Sequence, residues 1–327
     1  MSKDTILVVG GAGYIGSHMV KMLDEKGYNV IVYDNLSTGF EDLILVDNFI
    51  KGDIANTRKL DKVFSENDID AVMHFAAFTQ VGESMKNPQK YYKNNVVNVY
   101  KLLNRMLKHD IEYFIFSSSA AVYGEPESIP IREYLPRNPI NTYGKTKAMV
   151  EDILEDYDRA YDLKYSSLRY FNAAGADESS KIGEKHDPET HLIPLVLKTA
   201  LNEREKIYIF GTDYKTKDGT CIRDYIHVND LASAHLKAME RLFEGESSEV
   251  FNLGSGKGYS VREIIEKSKQ ITGIDFEVEE AGRRPGDPPV LIAESKKADM
   301  LLGWQRKYSL EDIIRTAWQW HKRNQRS

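Results

Sequence analysis

The apolar run Thr5–Val9, "TILVV", breaks directly into the glycine turn "GGAGYIG" and then into an amphipathic stretch reaching about Lys26. A buried strand, a turn almost without side chains and a helix, in that order, fit few folds outside a βαβ unit. The strand signal recurs in "NVIVYD" (29–34), "NFIKGD" (48–53), "AVMHFAA" (71–77) and "YFIFSSS" (113–119). Helical periodicity lies between most of these runs, most clearly from Pro88 to about His109. Near-continuous apolar strands alternating with helices predict a parallel sheet covered on both faces, an α/β fold of the doubly wound, Rossmann type.

Gly10, Gly13 and Gly16 are spaced three apart in the turn. Such a turn lets backbone N–H groups approach a pyrophosphate at the positive end of a helix. Asp34 ends the second strand at about the spacing, roughly 20 residues on, where an acid accepts ribose hydroxyls. A carboxylate there repels a 2′-phosphate, so NAD is expected rather than NADP. From about Ala176 the connections lengthen and turn polar, as in "DESSKIGEKHDPET" and "GTDYKTKDGT". The expected division is an NAD-binding domain over 1–175 and a smaller α/β substrate domain over 176–327, with 222–252 returning to support the first. No internal repeat or low-complexity tract interrupts it.

The segment "NTYGKTKA" places Tyr143 and Lys147 one turn apart at the start of a helix. A phenol has a pKa near 10 and is a poor base at neutral pH unless positive charge stabilises its anion. Bringing it near neutrality corresponds to about 4 kcal/mol, which Lys147 and a bound nicotinamide cation in a partly dry site can supply. With 19 tyrosines in the chain, that spacing also arises by chance, so Ser119 carries weight. It follows an apolar strand, at the carboxyl end where ligands gather in open α/β sheets. Its hydroxyl can bond a substrate alcohol and relay the proton to Tyr143.

The formal charge of −6 argues against nucleic acid as a bulk partner. One cysteine, Cys221, excludes an internal disulfide and favours a reducing cytoplasm. The first residues carry too short an apolar run for a signal peptide, and no run approaches membrane-spanning length. The eight histidines show no zinc spacing, so no metal is expected.

Together, "GGAGYIG", "FSSSAAVYG" and "YGKTK" resemble the extended short-chain dehydrogenase/reductase family. More closely, "YDNLSTG", "YYKNNV", "LRYFNAAGA", "DGTCIRDYIHV", "NLGSG" and "RRPGDPP" are similar to that family's UDP-glucose (UDP-galactose) 4-epimerase branch. These strings run to near Leu291 and cover both halves. The resemblance implies reversible epimerisation of UDP-galactose and UDP-glucose at C4 through a 4-keto sugar, with retained NAD as transient hydride acceptor. Tyr143 is then the base, Lys147 tunes it and orients the nicotinamide ribose, and Ser119 binds the C4 oxygen.

By the same resemblance the cofactor lies on Gly10, Gly13, Tyr14, Ile15 and Gly16. Its adenosine end meets Asp34, Asn35, Leu36, Ser37, Thr38 and Gly39, with Asp53 and Ile54 near the adenine. Phe75, Ala76, Ala77, Phe78, Thr79, Asn94 and Phe171 complete that pocket; Thr79 stands where many members carry a lysine. The UDP falls to Asn172, His191, Leu192, Tyr208, Phe210, Arg223, Arg284 and Asp287, since guanidinium forks suit diphosphate oxygens and an aromatic can stack on uracil. Leu291 resembles a specificity gate, intermediate between the aromatic that restricts the site and the small residue that admits UDP-N-acetylhexosamines. A homodimer is implied as well.

Three rivals are weighed. A nucleotide-sugar 4,6-dehydratase needs an acidic pair where this chain has Ser119-Ala120-Ala121. A simple dehydrogenase releases its reduced cofactor each turnover. A non-catalytic NAD sensor has no use for Ser119, Tyr143 and Lys147 together.

Overall fold

The computed structural model describes residues 4–284 and 288–325. The chain opens with β1 (Thr5–Val9), α1 (Tyr14–Glu25), β2 (Asn29–Asp34), β3 (Phe49–Lys51), α2 (Thr57–Glu66) and β4 (Ala71–His74). Helices α3 (Val81–Lys86), α4 (Pro88–Tyr92) and α5 (Asn98–Lys108) lead to β5 (Tyr113–Ser117), then α6 (Thr142–Tyr161) and β6 (Lys164–Tyr170). There follow β7 (Asn172–Ala174), α7 (Leu192–Ala200), β8 (Lys206–Phe210), β9 (Ile222–His227), α8 (Val228–Phe243) and β10 (Glu249–Leu253). The described chain ends with β11 (Gly258–Ser260), α9 (Val261–Thr272), β12 (Glu277–Ala281), β13 (Val290–Leu291), α10 (Lys296–Leu302) and α11 (Leu310–Gln325).

Successive side chains of each central strand enter opposite cores. Ile6 and Val8 of β1, Val30 and Val32 of β2, and Ala71 and Met73 of β4 join one. Leu7 and Val9, Ile31 and Tyr33, and Val72 join the other. Both faces are apolar, so the strands show no polar alternation. Burying each Val, Leu or Ile side chain contributes about 1.5–3 kcal/mol. α1, α8 and α10 cover the first face, and α2, α5 and α6 the second.

The sheet has the order β10-β6-β5-β4-β1-β2-β3, and every pairing in it is parallel. The order reverses between β1 and β4, so the loops leaving their carboxyl ends diverge and open a crevice. β10 therefore comes back from the second half to complete the main sheet, and α8 supplies Leu231, Ala232 and Met239 to its core. Elsewhere β9 pairs with β7, β11 and β13, and β8 pairs with β12.

β4 stops short of its apolar run, ending at His74. After β4 the N–H groups of Phe75 and Ala76 both turn back to the Val9 carbonyl, at 2.8 and 3.2 Å, which swings residues 75–79 over the sheet edge. The helix expected from Pro88 to about His109 is interrupted by a π-helical turn at Lys93–Val97. The cause is tertiary. The Asn95 amide turns inward, accepting from the Phe78 N–H (3.0 Å) and donating to the Phe78 carbonyl (2.9 Å) and the Thr146 hydroxyl (3.2 Å). A π-turn lets one side chain leave the helical register for such a task.

Candidate active site

Gly13 caps α1, and no side chain accepts from the N–H groups of its first turn. A Cβ on Gly13 would come no closer to its surroundings than 3.4 Å, at the Gly10 carbonyl oxygen, whereas one on Gly16 would lie 2.1 Å from that oxygen. Gly16 is thus required by packing, and Gly13 opens a cradle of free N–H donors at a helix N-terminus. A diphosphate fits there, being small, anionic and rich in acceptors. Gly13→Ala, at φ −84°, is expected to melt like the parent and to retain less NAD after gel filtration. Gly16→Ala is expected not to fold. Equal NAD content in Gly13→Ala contradicts the cradle.

The Tyr14 side chain points away from this cradle. Its hydroxyl donates to the Gly175 carbonyl at 2.6 Å, so only its backbone faces a ligand of the loop. Asp34 is buried and accepts the Ala12 N–H (3.0 Å) and the Leu36 N–H (2.8 Å). Burial raises its pKa against both bonds. Each carboxylate oxygen keeps a second lone pair for a ribose hydroxyl. Asn35 donates to Asp53 at 2.8 Å, and the Phe40 N–H reaches the Ala12 carbonyl at 2.9 Å, which wraps 34–40 around the glycine loop. Ser37 and Thr38 are exposed on that wrap, and Gly39 sits against Ala12. Ile54 faces the second core and Ile15 packs on the first; Phe75 lies against the buried His235 ring, centroids 5.0 Å apart. Ala76, Ala77 and Asn94 are half-buried and Thr79 is exposed.

The three serines after β5 do different work. The Ser117 carbonyl accepts from Lys147 Nζ at 2.6 Å, and its hydroxyl shares a hydrogen bond with Tyr170. Ser118 donates to Glu151 at 2.5 Å. Ser119 leads the turn Ala120–Tyr123, its hydroxyl accepting the Ala121 N–H at 3.2 Å, and its side chain acts on the Tyr143 phenol, favouring the anion. Opposite them, α6 begins behind Asn141, whose side chain accepts the Gly144 N–H at 2.8 Å. Tyr143, Lys147 and Glu151 follow one turn apart, on one face of the helix. Gly144 lets that helix touch the turn: a Cβ there would lie 2.4 Å from the Ala121 carbonyl.

In the chain alone, burial sets the electrostatics of this pair. Burial pushes the Tyr143 phenol up to about 12, against the pull of the Ser119 side chain. Lys147 Nζ, 5.9 Å from the phenol ring centroid, is directed at Ser117. Burial lowers Lys147 to about 7, opposed by the charge of Glu151. In the chain alone, desolvation outweighs the cation. His74, stacked on Phe116, is held near 3 by burial and by Lys147.

Phe171, expected in the cofactor pocket, and Leu291, the expected gate, each pack against the buried cluster of Val122, Tyr123, Ile131 and Ala148, the last of these on α6. Leu291 pairs with Arg223 of β9, and Asn172 pairs with Tyr225 of the same strand. Tyr208 and Phe210 share the half-buried face of β8, with ring centroids 6.1 Å apart. The Arg284 guanidinium lies 3.9 Å over the Phe210 ring. Asp287 lies outside the described residues. Leu192 opens α7 behind its cap, His191, whose Nδ1 donates to Glu184 at 2.6 Å. The fold also gathers His186 and Glu189 there, a His/Glu group that sequence spacing did not single out. Glu184 and Glu189 draw His186, despite burial, up to about 10.

Sequence reasoning missed the support beneath Tyr143 and Lys147. Glu151 is fully buried and binds Arg169 through Nε (2.9 Å) and a terminal nitrogen (2.6 Å), and Arg137 at 3.1 Å. Arg169 also donates to the Tyr123 hydroxyl at 2.8 Å, and Tyr123 to Asn252 at 2.7 Å. The one available signal was Glu151 itself, a turn beyond Lys147.

The family model described as NAD dependent epimerase/dehydratase family matches residues 6–254. A curated protein of Halalkalibacterium halodurans named UDP-glucose 4-epimerase is 54% identical, over 97% of this chain and 95% of that protein. The crystal structure of UDP-glucose 4-epimerase from Brucella ovis in complex with NAD superposes with a TM-score of 0.94, at 48% identity, covering 97% of this chain and 98% of that one. The UDP-Glc/GlcNAc 4-epimerase of Campylobacter jejuni gives a TM-score of 0.86 at 44% identity, covering 98% and 99%.

Proposed function

The chain belongs to the NAD-dependent epimerase/dehydratase family, and on that premise we propose that it interconverts UDP-galactose and UDP-glucose by inverting C4. The observation that carries this reading is the buried Tyr143 phenol, acted on by Ser119 at the end of β5 and backed by Lys147 one turn along α6. NAD, when bound, supplies a hydride acceptor for C4 and a positive charge beside the phenol. The backbone behind Gly13 and the Asp34 carboxylate hold it.

Ser119 binds the C4 hydroxyl, and Tyr143 takes its proton as C4 is oxidised to a ketone. Lys147 anchors the site to the sheet through Ser117 and contributes positive charge to it. Arg223 and Arg284 hold the diphosphate, and Tyr208 and Phe210 present aromatic faces to the uracil. Fixing the nucleotide leaves the keto sugar free to turn, so one phenol serves both epimers. The Tyr143 proton then returns to the C4 oxygen.

Elimination of water, the family's other chemistry, lacks its proton donor: Ala120 and Ala121 follow Ser119 in the turn. Deuterium placed at C4 of UDP-galactose is expected to appear at C4 of UDP-glucose without loss to solvent. Washout of the label contradicts hydride return within one site.

Leu291, packed like Phe171 against the Val122, Tyr123, Ile131 and Ala148 cluster, forms the wall that sets sugar bulk. Leu291→Tyr is expected to lower the kcat/KM ratio of UDP-N-acetylglucosamine to UDP-glucose about tenfold or more, as filling a pocket by a few heavy atoms changes discrimination by about 1–3 kcal/mol. An unchanged ratio places the wall elsewhere.

A further inference from the structure

We propose that Glu184, His186, Glu189 and His191 form a binding site for one divalent transition-metal ion of the zinc type, tying the loop before α7 to the start of α1. One donor atom from each of the four lies within 4.8 Å of all the others. His186 Nδ1 is buried without a hydrogen-bond partner, 3.5 Å from Glu184 Oε1 and 3.5 Å from Glu189 Oε2. His191 Nδ1 lies 2.6 Å from Glu184 Oε1 and 3.6 Å from Glu189 Oε1. Ligand bonds of about 2.0–2.2 Å in a tetrahedron separate neighbouring donors by about 3.3–3.5 Å, so small side-chain shifts suffice to close the cage.

The donor chemistry selects the ion. Two imidazole nitrogens with two carboxylate oxygens suit zinc, manganese or copper better than calcium or magnesium, which take more oxygens. Both carboxylates are almost out of solvent, with the Glu184 side chain 3% and the Glu189 side chain 4% exposed. Two buried carboxylates demand matching positive charge, and a dication bound by neutral imidazoles provides it. The outer contacts also orient the ligands, as bound metals require. Glu189 Oε1 accepts the N–H groups of Thr190 (2.7 Å) and His191 (2.8 Å), and Trp320 Nε1 donates to the Glu184 carbonyl at 3.2 Å. The His186 ring stands edge-on to Tyr14, centroids 6.1 Å apart. An ion held here fixes the loop that carries His191 and Leu192 against the first residue of the glycine-loop helix.

The test uses untagged, NAD-loaded protein freed of metal by chelator and then dialysed. Equilibrated with Zn²⁺ and desalted, the parent is expected to retain about one ion per chain by mass spectrometry and to melt at a higher temperature. Co²⁺ in its place should give the intense visible bands of a four-coordinate ion. His186→Asn, folded and NAD-bound like the metal-free parent, should lose the retained Zn²⁺ and the melting shift. Should that variant fold poorly, Glu189→Gln and the Co²⁺ spectrum of the parent decide. No retained ion in the parent, or equal retention in a folded variant, overturns the site and leaves an ion-pair network of protonated imidazoles.

Discussion

Tyr143→Phe is expected to fold, to keep NAD and UDP-sugar binding, and to turn over UDP-galactose about 10²–10⁴-fold more slowly, a barrier increase of about 3–5.5 kcal/mol. The substitution removes one oxygen. The ring stays in the same buried position, and losing the hydroxyl changes stability by about 1 kcal/mol. A group that acts only as the proton moves affects kcat with little change in KM. Its charge state also explains why a bound cofactor matters to this base: burial alone holds the phenol near 12, far above the pH at which it must accept a proton. Near-normal kcat in Tyr143→Phe contradicts the assignment and moves the proton acceptor elsewhere.

Glu151→Gln is expected to cost about 3–5 kcal/mol of stability, because it leaves the Arg169 guanidinium buried without its countercharge. The amide keeps the volume, so no cavity confuses the result. Replacing both partners, Glu151→Met with Arg169→Met, is expected to recover much of the loss, since paired removal leaves no orphan charge. The Glu151 charge also holds Lys147 up against desolvation. Without it Lys147 loses its proton at lower pH, and the alkaline limb of the rate profile that reports charged Lys147 moves to lower pH. An unchanged urea midpoint in Glu151→Gln contradicts the structural role, and an unmoved alkaline limb contradicts the electrostatic one.

What the sequence disclosed followed from local rules. The runs at 5–9 and 29–34 became strands with the expected ends because both faces of those strands are covered, so the apolar residues themselves mark the boundaries. Ser119, Tyr143 and Lys147 were legible because two are fixed by helical spacing and the third by the end of a strand. Arg169 was not. It lies 18 residues from Glu151, and its partnership exists only once β6 is laid beside β5. The interruption in the helix after Pro88 was equally hidden, as it depends on an Asn95 amide reaching Phe78 and Thr146. The same holds for His186 and His191, which a loop brings to two glutamates at no characteristic spacing. The expected lowering of the phenol called on Lys147 and a bound nicotinamide together; in the chain alone, the burial that the fold imposes on both side chains outweighs Lys147.

The central claim is a redox-neutral inversion at C4 by protein that carries its own cofactor. The most direct measurement incubates purified protein with UDP-galactose, adds no NAD, and resolves the sugar nucleotides by chromatography while absorbance follows NADH. The account predicts UDP-glucose approaching a fixed equilibrium ratio with no net NADH. NADH accumulating in step with substrate consumed, or no UDP-glucose even when NAD is supplied, contradicts it.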